Sequence, residues 1–350
     1  MNFASDNASP VPPQVMEALT RVNEGYAAAY GNDPEMDQIR ALIREVFEAP
    51  EAAVYLVATG TAANVLSLAS LVQPWQAICC HREAHITMDE CGAPEFYTGG
   101  SKLNLIDGDH GKITPAGLEQ AIGVQVQGFV HSVQRGTLSL TNATECGTVY
   151  THAELKALCE VAKARGMSVH LDGARFANSV ISAGATPAEM SWKAGVDVLS
   201  FGGTKNGLLG VEAVVLFDPK LAWEFELRRK RGGHLFSKHR YLSAQMLAYL
   251  TDGLWLDLAA KANAAANKLS DGILQSPGAS LVHPTDANAV FASFNRKAHR
   301  AAHDAGAKYY FWGTEGNLEG PDEGLESARL VCSWCTTDKE IEAFLAAIKN

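Results

Sequence analysis

Through the first two-thirds of the chain, short apolar runs alternate with amphipathic stretches of helical period. AAVYLVA (52–58), QAICCH (76–81), KLNLI (102–106), GFVHSV (128–133), MSVHLDG (167–173), VDVLSF (196–201) and EAVVLF (212–217) read as strands. Between them lie stretches such as HAELKALCEVAKARG (152–166), which ends on basic residues and a glycine as helices do. Such alternation predicts an α/β fold, a mainly parallel sheet covered by helices on both faces. Ahead of the first strand, Asp33 is placed to cap a helix that opens on Pro34. Met36, Ile39, Leu42, Ile43, Val46 and Phe47 follow at helical spacing. Residues 219–275 read as mostly helical, and SLVHP, NAVFASF and RLVCSWC then read as hairpin-like strands with helices between them. The last helix opens with Thr337 and Glu340 at capping-box spacing. The expectation is a large α/β domain over 1–249 and a smaller C-terminal α+β domain over 250–350.

Composition narrows the partners. With 47% hydrophobic and 19% charged residues, the 350-residue chain is globular. Lys and Arg number 29 against 39 Asp and Glu, a net charge of −10, which disfavours nucleic acid and anionic membranes as partners. An anionic ligand must therefore meet a local cluster of donors. No run approaches the ~20 apolar residues of a membrane span, and the N-terminus lacks signal-peptide character, so a cytoplasmic protein is expected. Seven cysteines with no framework spacing fit that expectation. Cys332 and Cys335 have no second pair for zinc and read as core thiols on a strand. No metal site is expected.

Four local features can carry chemistry. Gly60-Thr61-Ala62-Ala63-Asn64 stands at a strand-to-helix junction, where free N–H groups and the helix dipole suit a phosphate, or where small residues merely pack. His170-Leu171-Asp172-Gly173-Ala174-Arg175 ends a buried strand, the edge at which open α/β sheets bind ligands. Asp172 could hold a protonated heterocyclic nitrogen and Arg175 a carboxylate, or the two could pair and cap the next helix. Lys205, in SFGGTKNG after another strand, is placed for Schiff-base chemistry or is an ordinary loop lysine. His85, after QAICCH, could stack on a ring or move a proton.

Their order along one α/β domain, with Ser5-Asp6 near the N-terminus, Tyr30-Gly31-Asn32-Asp33-Pro34 and Ser327-Ala328-Arg329-Leu330-Val331, resembles the fold-type I pyridoxal-phosphate enzymes, and among them the L-threonine aldolase group of the β-eliminating lyase family. The resemblance spans nearly the whole chain. It implies an aminotransferase-like large domain and pyridoxal 5'-phosphate as cofactor. Lys205 would carry the Schiff base, Asp172 would pair with the pyridine nitrogen, Gly60 and Thr61 would bind phosphate, and His85 would stack on the ring. Ser5, Arg175 and Arg329 would hold the substrate carboxylate, placing Arg175 at the cofactor as well. One residue of Arg228-Arg229-Lys230-Arg231 would reach phosphate in a neighbouring subunit of a homotetramer built from close dimers. The implied reaction is retro-aldol cleavage of L-threonine, L-allo-threonine or phenylserine to glycine and an aldehyde.

One departure bears on the base. Family members commonly carry E-N-T-H before a G-x-V segment, whereas here Thr144 stands near that histidine's place in TNATECGTV. The β-hydroxyl proton would then fall to His85, an ordered water or a histidine elsewhere such as His131. Two other functions remain open at this level: a β-eliminating lyase with Lys205 as the Cα base, and a non-catalytic sensor on the same fold.

Overall fold

The computed structural model describes residues 1–313 and 316–349. Its main sheet has seven strands in the order β1-β7-β6-β5-β4-β2-β3. These are β1 (Ala53–Val57), β2 (Gln76–His81), β3 (Lys102–Ile106), β4 (Gln134–Thr141), β5 (Ser168–Gly173), β6 (Val198–Gly202) and β7 (Glu212–Leu216). Only β7 runs against its neighbours, β1 and β6. The segment joining β6 to β7 is too short for the crossover that a parallel pair needs, so β7 must return antiparallel. The expected doubly covered, mainly parallel sheet is present.

One strand lies elsewhere than expected. The 128–133 run falls in turns, and β4 begins at Gln134. Its sequence, QRGTLSLT, is half polar yet central in the sheet. Thr137 donates to the Ser168 carbonyl at 2.9 Å and Ser139 bonds His170 at 3.0 Å, so these buried hydroxyls are satisfied. Gly136 is required there, because a Cβ would sit 2.6 Å from the Ala77 carbonyl oxygen of β2.

The Pro34–Val46 helix forms as expected, with Asp33 accepting from the Met36 N–H at 3.1 Å. It buries Met36, Ile39 and Ile43. Phe47 beyond its end meets Phe176 and Phe201, and Phe201 in turn meets Trp255 edge-on.

A second, antiparallel sheet has the order β10-β11-β9-β8, from β8 (Ser280–Leu281), β9 (Ala289–Asn295), β10 (Tyr310–Phe311) and β11 (Leu325–Val331). Strand β11 stops at Val331, so Cys332 and Cys335 lie beyond it rather than on a strand; Cys332 is buried and Cys335 half-buried. The Leu254–Leu274 helix joins the two cores. Trp255 and Leu258 pack into the first, and Leu269 and Ile273 into the second. The N-terminus also spans them: Asn2 bridges to Lys308, Val331 donates to the Phe3 carbonyl at 2.8 Å, and Phe3 is fully buried against Phe344. Among the described residues, no helix is long and apolar enough to cross a membrane.

Candidate active site

Strands β5 and β6 are parallel neighbours, with Asp172 opposite Ser200. Their carboxyl ends therefore carry Asp172 and, one turn past β6, Lys205. Asp172 is buried and accepts from the Ala174 N–H at 3.0 Å and from Asn64 Nδ2 at 2.8 Å. Beneath it, His170 links three strands through Ser139 and Ser200, each 3.0 Å away. Burial holds the His170 imidazole down to about 4 even though Asp172 pulls it the other way, so it is a neutral bridge at neutral pH.

The Lys205 turn is fixed from both sides. Glu212 of β7 accepts the Gly203 N–H at 2.6 Å, and Asn206 donates to Tyr249 at 2.7 Å and to the Trp255 carbonyl at 2.8 Å. Burial pushes the Glu212 carboxyl up to about 7, against the pull of Thr204, Gly203 and Lys205.

Asn64 extends the Asp172 contact outward. Its Nδ2 also reaches Glu90 Oε1 at 3.0 Å, and that oxygen lies 2.8 Å from His85 Nδ1. The Glu90 side chain is 0% exposed and that of His85 27% exposed, so His85 meets the site with a buried carboxylate behind it. That hydrogen bond raises the His85 pKa; burial opposes the rise, and Asp172 and Glu145 add to it. The unbroken row His85–Glu90–Asn64–Asp172 was not read from the sequence. Its one visible sign was Asn64, a polar residue in an otherwise small and apolar helix start.

On the opposite side, Arg175 pairs with Asp6 rather than with Asp172. Its Nε and Nη2 meet the two Asp6 oxygens at 2.7 and 3.0 Å, and Asn288 donates to Asp6 at 3.0 Å. Burial would raise the Asp6 carboxyl, but Arg175, with help from Lys205 and Asn288, brings it below its usual value. This side-on pairing leaves the terminal fork of the guanidinium for another carboxylate. Arg329, on β11, carries a buried Nε without a partner and lies over the rings of Tyr310 and Trp312 at 5.5 and 5.7 Å. Burial and the like charge of Arg175 lower its pKa, which places the two guanidiniums within each other's field. Ser5 precedes Asp6 and caps the short turn that presents it.

The Gly60–Leu71 helix supplies the remaining donors. Thr59 caps Ala62 N at 3.1 Å, and a Cβ on Gly60 would meet nothing within 4 Å. The N–H groups of Gly60 and Thr61 lie in the first turn, where a helix leaves its donors without intrahelical partners, the donor set a phosphate needs. Together, a strand-end carboxylate, a strand-end lysine, an open helix N-terminus and a half-buried imidazole fit pyridoxal phosphate.

Two residues named from the sequence fall outside this group. His131 precedes β4 at its far end, about 23 Å of strand from Thr141 at a ~3.3 Å rise per residue. Arg229 is buried within its own protomer, over Tyr55 at 4.9 Å and donating to the Leu56 carbonyl at 3.2 Å. A groove of about 1060 Å³ beside the Pro13–Val22 and Arg240–Leu250 helices holds none of the site groups.

Fold and site define a class, the fold-type I pyridoxal-phosphate enzymes. Within it the chain belongs to the beta-eliminating lyase family, which matches residues 2–297. It is 40% identical over 348 residues to the low specificity L-threonine aldolase of Pseudomonas sp. (strain NCIMB 10558), covering 99% of this chain and 96% of that one. The low specificity L-threonine aldolase of Pseudomonas aeruginosa is 40% identical over 347 residues, at the same coverage. A solved structure of Leishmania major threonine aldolase superposes with a TM-score of 0.91 at 27% identity, over 99% of this chain and 98% of that one.

Proposed function

We propose that this protein is a pyridoxal-phosphate-dependent carbon–carbon lyase that cleaves L-β-hydroxy-α-amino acids to glycine and an aldehyde. The observation that carries the reading is the joint placement of Asp172 and Lys205 at adjacent strand ends beside the paired guanidiniums of Arg175 and Arg329. Full-length identity to threonine aldolases supports the choice of bond.

Each residue then has a task. Lys205 would hold the cofactor through Nζ. Asp172 keeps the pyridine nitrogen protonated, and the ring, when bound, takes up the electron pair of the breaking Cα–Cβ bond. Gly60 and Thr61 donate to the phosphate. Arg175 and Arg329, with Ser5, hold the substrate carboxylate so that the Cα–Cβ bond stands across the ring plane. His85 covers the ring, and Glu90 holds its Nδ1, leaving Nε2 to take the β-hydroxyl proton.

A two-unit organisation is supported by the two cores, which meet along the Leu254–Leu274 helix; the first core runs past 249/250 to take in Trp255 and Leu258, and Phe3 lies in the second. A homotetramer of close dimers is supported by the surface around the phosphate site. The Ala93–Thr98 and Ala222–Arg231 helices flank the Gly60–Leu71 helix and expose Phe96, Trp223 and Leu227. With Arg229 turned inward, the cation that reaches a neighbour's phosphate is one of Arg228, Lys230 and Arg231. Seven unpaired thiols support a cytoplasmic location.

Two measurements test the reading. Borohydride reduction of the holoenzyme followed by peptide mapping places the cofactor on Lys205; a different labelled lysine contradicts it. His85→Asn is expected to keep bound cofactor and to lose cleavage of the β-epimer whose hydroxyl faces Nε2 about 10²–10⁴-fold, the usual worth of a general base. Unchanged turnover of both epimers removes His85 as the base.

A further inference from the structure

Of the carboxylates around the site, Asp6, Glu90 and Asp172 are all held by protein donors. Among the described residues, the Glu145 carboxylate has neither a hydrogen bond nor an ion pair. The turn that carries it is closely fixed. Thr144 N donates to the Thr148 carbonyl at 2.9 Å, their hydroxyls meet at 2.8 Å, and Thr148 donates to the His110 carbonyl at 2.7 Å. Cys146 meets Glu83 at 3.2 Å. Thr144 and Cys146 are both buried in this turn, and Glu145 between them is half-buried, lining a narrow cleft with Ala84, Thr141 and Thr144. Ala84 immediately precedes His85, and Thr141 lies opposite Asp172 in the sheet, so the cleft adjoins the chemistry. The field of Glu145 reaches His85, Arg175 and Arg329 alike.

On the aldolase reading, on which this inference rests, the substrate carboxylate lies on the two arginines and its amine at Lys205. The part left to enter the space between His85 and the cleft is the β-carbon. The two β-epimers exchange the positions of hydroxyl and side chain, so with the side chain confined they direct the hydroxyl to different places. We propose that Glu145 is a second acceptor for the β-hydroxyl, so that one epimer is cleaved through His85 and the other through Glu145. In the second case the hydroxyl proton passes to the Glu145 carboxylate as the Cα–Cβ bond breaks. The oxygen forms the aldehyde carbonyl, the electron pair left on Cα takes a proton from water to give glycine, and the Glu145 carboxylate returns the hydroxyl proton to water, so the step is proton-neutral overall.

The test compares wild type, Glu145→Gln and Glu145→Asp as holoenzymes. It measures kcat/KM for L-threonine and L-allo-threonine, together with glycine affinity by titration of the cofactor spectrum. Glycine has no β-carbon, so its binding reports only on the integrity of the site. In Glu145→Gln one epimer is expected to lose roughly 10- to 100-fold, the worth of a charged hydrogen bond. The other epimer changes less than about threefold, glycine binding is unchanged, and Glu145→Asp keeps part of the lost activity. Equal losses for both epimers, no loss for either, or weakened glycine binding overturns the inference while the aldolase reading stands. A wild-type enzyme that releases no glycine from either epimer overturns both.

Discussion

Behind His85 lies a carboxylate that no water reaches, and it fixes which imidazole nitrogen can act. With Glu90 on Nδ1, that nitrogen carries the proton and Nε2 keeps its lone pair. The base works only as neutral imidazole, and Glu90 raises its pKa. Glu90→Gln therefore lowers that pKa, keeps His85 neutral to lower pH, and is expected to shift the acid limb of the kcat–pH profile downward. A limb that stays in place would mean that His85 is not the group titrating. Asp6 acts on substrate binding instead. Asp6→Asn weakens the hold on Arg175, so KM is expected to rise about tenfold with kcat within about threefold, the pattern of lost uniform binding; steady-state kinetics decide it. Of the groups that would touch cofactor or substrate, Gly60, Thr61, Asp172, Arg175 and Lys205 are marked by helix-start and strand-end positions, whereas Ser5 and Arg329 are named only through the family resemblance. Their partners could not be named from the sequence: Asp6 and Arg175 are 169 residues apart and Asn64 and Asp172 108, so only folding relates them.

At the scale of elements, the site depends on close backbone approach. Gly202 ends β6 just before the Lys205 turn, and a Cβ there would lie 2.3 Å from the Ala174 carbonyl oxygen. Gly202→Ala must push apart the strand ends that carry Asp172 and Lys205. Its expected cost is about 1–3 kcal/mol of stability, with weakened cofactor binding, read by thermal melting with and without pyridoxal phosphate. The same closeness explains which strands were legible. Strands such as β1 and β7 show as apolar runs, whereas β4 buries Thr137 and Ser139 by bonding them to β5, a pairing that hydrophobic pattern does not report. The nearby 128–133 run has the strand-like composition, yet Phe129 and Val130 are exposed.

Across the whole molecule, the N-terminal segment ties the second sheet to the first. Phe3 is anchored in the second core and Asp6, three residues on, holds Arg175 of the first. Phe3→Ala is expected to cost about 3–5 kcal/mol through the cavity it leaves, and to raise KM because Asp6 loses its anchor; melting and kinetics on one preparation check both. The central claim concerns the bond that breaks. Wild type and Lys205→Ala, each given pyridoxal phosphate and L-threonine, are compared by their products. The account predicts glycine and acetaldehyde in equal amounts from the wild type and neither from the variant. A 2-oxo acid with ammonia from the wild type, or undiminished glycine from the variant, would contradict it.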